Sequence, residues 1–193
     1  LGNPTGNLSW MMEEFTVRPA EVLLKDRDRL QFGLIVLDVI HTPGHTPGSM
    51  CYWVPQVGAL FTGDSVLGIG TTVIRPREGD MGRYVASLQK LLPLPLKVIY
   101  PGHGPAVKSP LAKLQELIQH RQEREIQVID CLKRGLSHPD ELVADIYPEV
   151  SGRIKKMAHE QVLANLAKLQ REGKVTRKGR KKEEIRYLLN PQA

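Results

Sequence analysis

Three short motifs, each placed directly after a β-rich apolar run, constrain this chain more than any other feature. The first reads HTPGHTPGS at positions 41–49, the second FTGD at 61–64 and the third YPGHG at 100–104. Each is a glycine-containing turn that carries one metal-binding type of side chain: His45, Asp64 or His103. Ligands at the ends of three strands can converge on one edge of a sheet. The pattern therefore predicts a metal-dependent hydrolase.

The residue types in these motifs suit zinc chemistry. Imidazole nitrogen and carboxylate oxygen are ligands that Zn²⁺ favours, and a carboxylate can also bridge two metals. A two-metal site can activate water, polarise an ester or a phosphate, and stabilise the leaving group. Any one motif alone is weak, because Pro-Gly-His occurs in many loops, but the ordered set is a strong signal. We expect His45, Asp64 and His103 to be metal ligands, with Asp64 also serving catalysis.

The composition is that of an ordinary globular protein. Hydrophobic residues make up 41% and charged residues 25% of the 193 positions. No apolar run approaches the roughly 20 residues that span a bilayer, so we expect no membrane partner. No signal peptide is visible at the start. Cys51 and Cys131 are far apart, which favours a reducing compartment, the cytoplasm or, in a eukaryote, the mitochondrial matrix.

The first part of the chain has the pattern of an α/β layer. Residues 26–29 are expected to form a turn before the first apolar run. A helical pattern over 81–92 lies between the last two of four strand-like runs, which suggests an α/β fold. Ser109-Pro110 then opens a long helix. The four runs share β-branched and aromatic residues: 34–40, 49–54, 58–62 and 97–100.

The pattern of predicted elements changes after Gly135, a residue type that commonly caps the end of a helix. A short helix, a second helix over about 154–172 and a two-stranded ribbon over 175–189 follow. Helix, helix and basic hairpin is the order of a winged helix. We therefore predict a partial hydrolase domain at 1–135 and a winged-helix-like domain at 136–193.

The positive charge is concentrated in this second part. The net charge is +6, and residues 171–186 alone hold eight basic and three acidic residues. Such a patch indicates an anionic partner, although a charge run can also be only a solvated loop. The candidate nucleic-acid contacts are Lys174, Arg177, Lys178, Arg180, Lys181 and Lys182. The second helix adds side chains that could touch phosphates or bases: Lys155, Lys156, His159, Gln161, Asn165 and Lys168. A winged helix can equally serve as a protein-docking element or hold a homodimer together.

At this point the sequence resembles the metallo-β-lactamase superfamily. Residues 42–49 look like its third metal motif, Gly63-Asp64 like the fourth, with Asp64 the bridging ligand, and residues 101–104 like the fifth. Residues 63–72 and the winged helix resemble the β-lactamase-like protein 2 group. The resemblance runs from about Pro19 to Tyr187. It implies the C-terminal half of an αβ/βα sandwich with two zinc ions on one edge, and hydrolysis of single-stranded RNA or a thioester.

One part of the family pattern is missing. The first zinc ligands of the family come from a His-x-His-x-Asp-His segment upstream of the third motif, and this chain has none. By the resemblance, each metal would keep one histidine plus Asp64, short of the usual three or four ligands. We expect an N-terminally truncated chain that is inactive as it stands.

Three functions remain open at this level. The first is a zinc-dependent endoribonuclease whose basic domain holds the strand. The second is a glyoxalase-type thioesterase with the same metals. The third is a non-catalytic, winged-helix nucleic-acid-binding protein. The basic ribbon separates the first two, because RNA cleavage should need it and thioester hydrolysis should not. The third predicts tight, salt-sensitive DNA binding by the region 136–193 alone.

Overall fold

The computed structural model describes residues 22–191. These hold a five-stranded sheet, a two-stranded ribbon and four α-helices. The strands are β1 (Arg29–Phe32), β2 (Ile35–His41), β3 (Met50–Val54), β4 (Ala59–Gly63), β5 (Val98–Pro101), β6 (Val175–Lys178) and β7 (Arg186–Leu189). The helices are α1 (Met81–Leu91), α2 (Pro110–Lys133), α3 (Pro139–Ile146) and α4 (Gly152–Arg171). The first 21 residues of the predicted hydrolase domain, with the start of the resemblance at Pro19, and the last two of the predicted winged-helix domain lie outside the described residues.

The large sheet has its strands in chain order, β1-β2-β3-β4-β5. The first three pairings are antiparallel, whereas β4 and β5 are parallel because α1 crosses between them. It follows that β2, β4 and β5 all run in one direction. Their carboxyl ends therefore meet at a single edge of the sheet.

Two helices cover one face of this sheet. Strand residues with inward side chains, such as Leu60 and Ile99, pack with Tyr84 of α1 and Leu117 of α2 in one buried cluster. Side chains alternate across a strand, so the next residues along, Phe61 and Tyr100, lie on the opposite face. There the two rings stack with centroids 5.3 Å apart and remain partly exposed.

The C-terminal elements form a second buried cluster. It joins α3, α4 and the ribbon β6–β7 through residues such as Leu142, Val162 and Tyr187. The amide of Tyr187 donates to the carbonyl of Ser137, which ties the ribbon to the start of α3. Helix α2 contributes to both clusters, with its first half in one and its last turns in the other. The domain boundary near residue 135 stays a prediction.

The predicted fold class is confirmed: a mixed α/β fold is followed by two helices and a two-stranded ribbon. The turn predicted at 26–29 is shorter than expected, because Arg29 already begins β1 and pairs with Asp38. Strand β1 gave no clear sequence signal, since three of its four residues are exposed. None of the helices within residues 22–191 combines the length and apolarity that crossing a membrane requires.

The loop after β2 packs so tightly on α1 that Gly44 tolerates no side chain. A Cβ there would lie 2.3 Å from the Cα of Tyr84, and Gly44 has a φ of 145°. We predict that Gly44→Ala lowers the free energy of unfolding by about 3 kcal/mol, because it adds overpacking to backbone strain. Urea denaturation of the purified chain measures this.

The matched control is Gly48→Ala in the same loop, where a Cβ meets nothing within 4 Å. It should cost less than about 0.5 kcal/mol. Equal losses for the two variants would contradict the packing of this loop on α1.

Candidate metal centre

The three predicted ligands lie together at the carboxyl edge of β2, β4 and β5. Asp64 directly follows β4, His103 follows β5 by two residues, and His45 follows β2 by four. The two oxygens of Asp64 face different histidines. Nε2 of His45 lies 3.7 Å from Oδ2, and Nε2 of His103 lies 3.5 Å from Oδ1. The carboxylate thus stands between the two imidazoles.

The ring of His45 is oriented by the backbone. Its Nδ1 lies 3.1 Å from the carbonyl oxygen of Val73. A carbonyl oxygen only accepts hydrogen bonds, so Nδ1 must carry the proton that is donated. In the neutral ring the lone pair is then on Nε2, the nitrogen that faces Asp64. This is the arrangement in which outer contacts prepare a histidine for metal binding.

The distances at Asp64 suit paired ligands. Two ligands of one tetrahedral zinc, each about 2.1 Å from the ion, lie about 3.4 Å apart. The two histidine–carboxylate distances of 3.7 and 3.5 Å are close to that value. His45 with Oδ2 and His103 with Oδ1 therefore fit as partial ligand sets for two ions. Within residues 22–191, however, no three His, Cys, Asp or Glu side chains are grouped so that they could together hold one ion.

The backbone around Asp64 is held from two sides. The hydroxyl of Thr72 donates to the carbonyl oxygen of Asp64 at 2.7 Å. The amide of Gly102 donates to the carbonyl oxygen of Gly63 at 2.9 Å, which joins the turns after β4 and β5. A Cβ on Gly102 would approach Oδ1 of Asp64 to 3.1 Å. The glycine lets the His103 turn lie close to the carboxylate.

The glycine-rich loop 68–70 lies against the His103 turn. The amide of Gly68 donates to the carbonyl oxygen of His103, and a Cβ on Gly68 would meet the carbonyl oxygen of Pro105 at 2.2 Å. From the sequence, this loop could equally have lain near the substrate or simply turned the chain. In the structure, the loop lies beside the candidate site, against the turn that carries His103.

His41 and Cys51 have structural positions beside the site. Nε2 of His41 lies 2.8 Å from the carbonyl oxygen of Pro47 and so closes the loop that carries His45. Burial raises the pKa of the Cys51 thiol to about 11, although hydrogen bonds with Thr42 and Ser65 act in the opposite direction. A thiol with that pKa stays protonated at neutral pH and is neither a nucleophile nor a thiolate ligand.

The predicted nucleic-acid contacts differ in their surroundings. Lys174 is paired with Glu172 at 2.9 Å and lies 3.8 Å from Glu125, so part of its charge is neutralised. Other basic residues of the ribbon are exposed: Arg177, Lys178, Arg180 and Lys181. The side chain of Lys182 lies outside the described residues. The exposed residues are the positive surface that an anion would meet first.

Half of the second-helix residues proposed for nucleic-acid contact face the protein instead. Gln161 and Lys168 bind partners on α2, and Asn165 is buried and donates to the carbonyl of Gln161 within α4. This expectation was wrong for these three residues. They lie on the side of α4 that packs against α1 and α2. Lys155 and Lys156, near the start of α4, remain exposed.

Three residues that support the site were not identified as its parts from sequence. Thr72 follows the glycine-rich loop, for which a place near the substrate and a plain turn were equally open. Gln161 was expected to contact nucleic acid, and Arg121 carried no sequence signal. Arg121 is 2% exposed, and its Nη2 donates to the carbonyl oxygen of Thr72 at 2.7 Å. An arginine in a helix is usually a surface residue, and its burial here depends on partners far away in the sequence.

Comparisons with known proteins agree with this fold. A family model for the metallo-beta-lactamase superfamily matches residues 2–103, and one for the beta-lactamase associated winged helix domain matches residues 139–183. The chain belongs to the metallo-beta-lactamase superfamily, a class whose members are generally hydrolases that bind divalent metals.

The relatives also support the resemblance to the β-lactamase-like protein 2 group. The beta-lactamase-like protein 2 homolog of Caenorhabditis elegans is 36% identical over 72% of this chain and 46% of that protein. The Drosophila melanogaster protein of the same name is 33% identical over 79% of this chain and 51% of its own length. The chain thus spans about half the length of the curated relatives it matches.

A solved structure shows the same fold. A metallo-beta-lactamase family protein of Thermus thermophilus superposes with a TM-score of 0.72 at 26% identity. The match covers 86% of this chain and 54% of that protein. The fold is therefore shared well beyond the three motifs.

The partial ligand sets lead to a prediction for metal binding by the 193-residue chain. Isothermal titration with Zn²⁺ should show weak binding, because the described residues offer each ion two protein ligands rather than three or four. Asp64→Ala should abolish this binding, since it removes one ligand from both sets.

His159→Gln is the control, because it removes a histidine of α4 that is paired with Asp140 instead. It should leave the zinc titration unchanged. Tight binding that survives Asp64→Ala would show that zinc is held elsewhere.

Proposed function

We propose that the intact protein is a zinc-dependent hydrolase that cleaves single-stranded RNA. One observation carries the hydrolase assignment: the two oxygens of Asp64 face separate imidazole nitrogens, at 3.7 and 3.5 Å, on one open sheet edge. The side chain of His103 is 78% exposed and that of Asp64 41%, so a substrate in solution can reach both. A bridging carboxylate between two histidines is a donor set for a pair of metal ions.

The residues of this chain have distinct tasks in that reaction. His45 and Oδ2 of Asp64 would hold one ion, and His103 and Oδ1 would hold the other. Bound zinc ions would supply Lewis acidity and lower the pKa of water. Thr72 and Gly102 keep the Asp64 turn in place, and Val73 keeps His45 turned towards the carboxylate.

RNA is favoured as substrate by the basic ribbon of the second domain. Exposed arginines and lysines attract a phosphate backbone without reading its sequence, and this attraction weakens as salt rises. A small neutral thioester gains nothing from such a surface. The ribbon therefore favours a nuclease over a thioesterase that uses the same metals.

The catalytic prediction concerns Asp64. Because this chain spans only about half the length of the curated relatives it matches, the assay uses the longest form of the protein that its gene encodes. Asp64→Asn keeps the size of the side chain but weakens both ligand sets at once. Cleavage of a labelled single-stranded RNA should fall below detection, measured by gel electrophoresis. Asp130→Asn, the same change at an exposed aspartate of α2, should cleave normally, and cleavage that persists in Asp64→Asn would remove the assignment.

The substrate prediction concerns the charge of the ribbon. Lys178→Glu combined with Lys181→Glu should weaken RNA cleavage and flatten its salt dependence, since each lost phosphate contact lowers the salt slope by about one. Thioester hydrolysis by the same variant should not change. Both activities are measured over a series of salt concentrations.

Lys97→Glu with Lys133→Glu changes the net charge equally at exposed positions outside the ribbon. It should leave RNA cleavage intact. If the intact protein hydrolyses only thioesters, or binds nucleic acid without cleaving it, the RNA assignment is wrong.

A further inference from the structure

Three consecutive carbonyls beside the site are each held by a different part of the protein. Thr72, Val73 and Ile74 form the segment that passes His45, and we refer to their oxygens as the 72–74 carbonyls. The first accepts from Nη2 of Arg121 on α2 at 2.7 Å. The second accepts from Nδ1 of His45. The third accepts from Nε2 of Gln161 on α4 at 3.3 Å.

Arg121 and Gln161 also bind each other. Nη1 of Arg121 donates to Oε1 of Gln161 at 2.8 Å, so the two side chains act as one clamp. The clamp donates hydrogen bonds to the carbonyl oxygens of Thr72 and Ile74, the residues on either side of Val73. It leaves the Val73 carbonyl oxygen little freedom to move relative to the His45 ring.

Burying the guanidinium of Arg121 costs free energy, which indicates that the clamp serves a function beyond filling the core. The residue is 2% exposed, and no carboxylate within residues 22–191 lies at ion-pair distance from it. Its Nε has no hydrogen-bond partner in this part of the chain, and the guanidinium lies over the ring of Tyr84 at 5.2 Å. A buried cation without an acidic partner is expensive, and a leucine would fill a core more cheaply.

We propose that Arg121 and Gln161 are positioning residues for His45. Through them, the winged-helix domain fixes the orientation of the His45 imidazole at the candidate metal centre. The proposal rests on the proposed function only for the role of His45 as a ligand. Gln161 lies on α4, whose other faces build the winged-helix core. The orientation of the His45 imidazole therefore depends on how α4 docks against α1 and α2.

The test observes the imidazole itself, without metal or substrate. Long-range ¹H–¹⁵N spectra of the 193-residue chain, at about pH 8.5 where histidine is neutral, report which ring nitrogen carries the proton. The His45 signal is assigned by its loss in His45→Gln. We expect a single Nδ1–H form in the parent chain. Gln161→Leu and Arg121→Lys should convert it to a mixture of the two tautomers.

A control variant separates the clamp from general packing between α2 and α4. Lys168→Met breaks the 2.6 Å ion pair with Glu125 across the same helix contact but touches none of the 72–74 carbonyls. It should leave the His45 signal unchanged. Gln161→Glu keeps the acceptor for Arg121 but loses the donor to Ile74, so it should give a partial effect. Circular dichroism establishes that each variant is folded, and Gln161→Glu keeps the test open if Arg121→Lys is not.

Metal affinity gives a second readout. In the longest encoded form of the protein, the dissociation constant for Zn²⁺ should rise about ten- to a hundredfold in Gln161→Leu, as for other losses of outer contacts to a ligand. Folded Gln161→Leu and Arg121→Lys with an unchanged His45 signal would overturn the proposal, as would an equal change in Lys168→Met. If zinc fails to bind but the tautomer still responds, the proposed function fails and the positioning role stands.

Discussion

Three strands that run in the same direction must end at the same edge of their sheet, and the candidate site depends on this. β2, β4 and β5 are parallel to one another although β3 lies between two of them. The antiparallel hairpins around β3 and the α1 crossover produce that direction. The turns that follow the three strands then carry His45 and His103 to within 4 Å of the two oxygens of one carboxylate, that of Asp64.

The candidate site at the edge of the sheet also depends on contacts with the C-terminal domain. Helix α2 belongs to both buried clusters, and α4 contacts the first domain through a buried residue, Ala164, and through ion pairs of Lys168 and Arg171. The clamp of Arg121 and Gln161 extends this contact to the backbone beside His45. The winged helix is thus packed against the residues that support the candidate metal centre, and this contact also closes one side of α4 to a nucleic acid.

Much of the fold could be predicted because its signals are local. The strands β2 to β5 have apolar or aromatic runs, α1 and α2 have helical spacing, and Gly135 with a φ of 90° ends a helix as expected. Strand β1 could not be predicted, since its side chains are mostly exposed and only its pairing with β2 makes it a strand. Gln161, Asn165 and Lys168 were misjudged for a related reason, because a polar residue is buried only where distant partners satisfy it.

The sequence by itself determined the superfamily, the three candidate ligand residues and the basic ribbon, because each depends on residue chemistry within a few positions along the chain. Only the tertiary structure decided how those pieces act on one another. It brought His45 and His103 to opposite oxygens of Asp64, oriented His45 through Val73, and buried Arg121 against Thr72. Those contacts join residues far apart in the chain, and no local pattern encodes a distance that only the packing of sheet and helices sets.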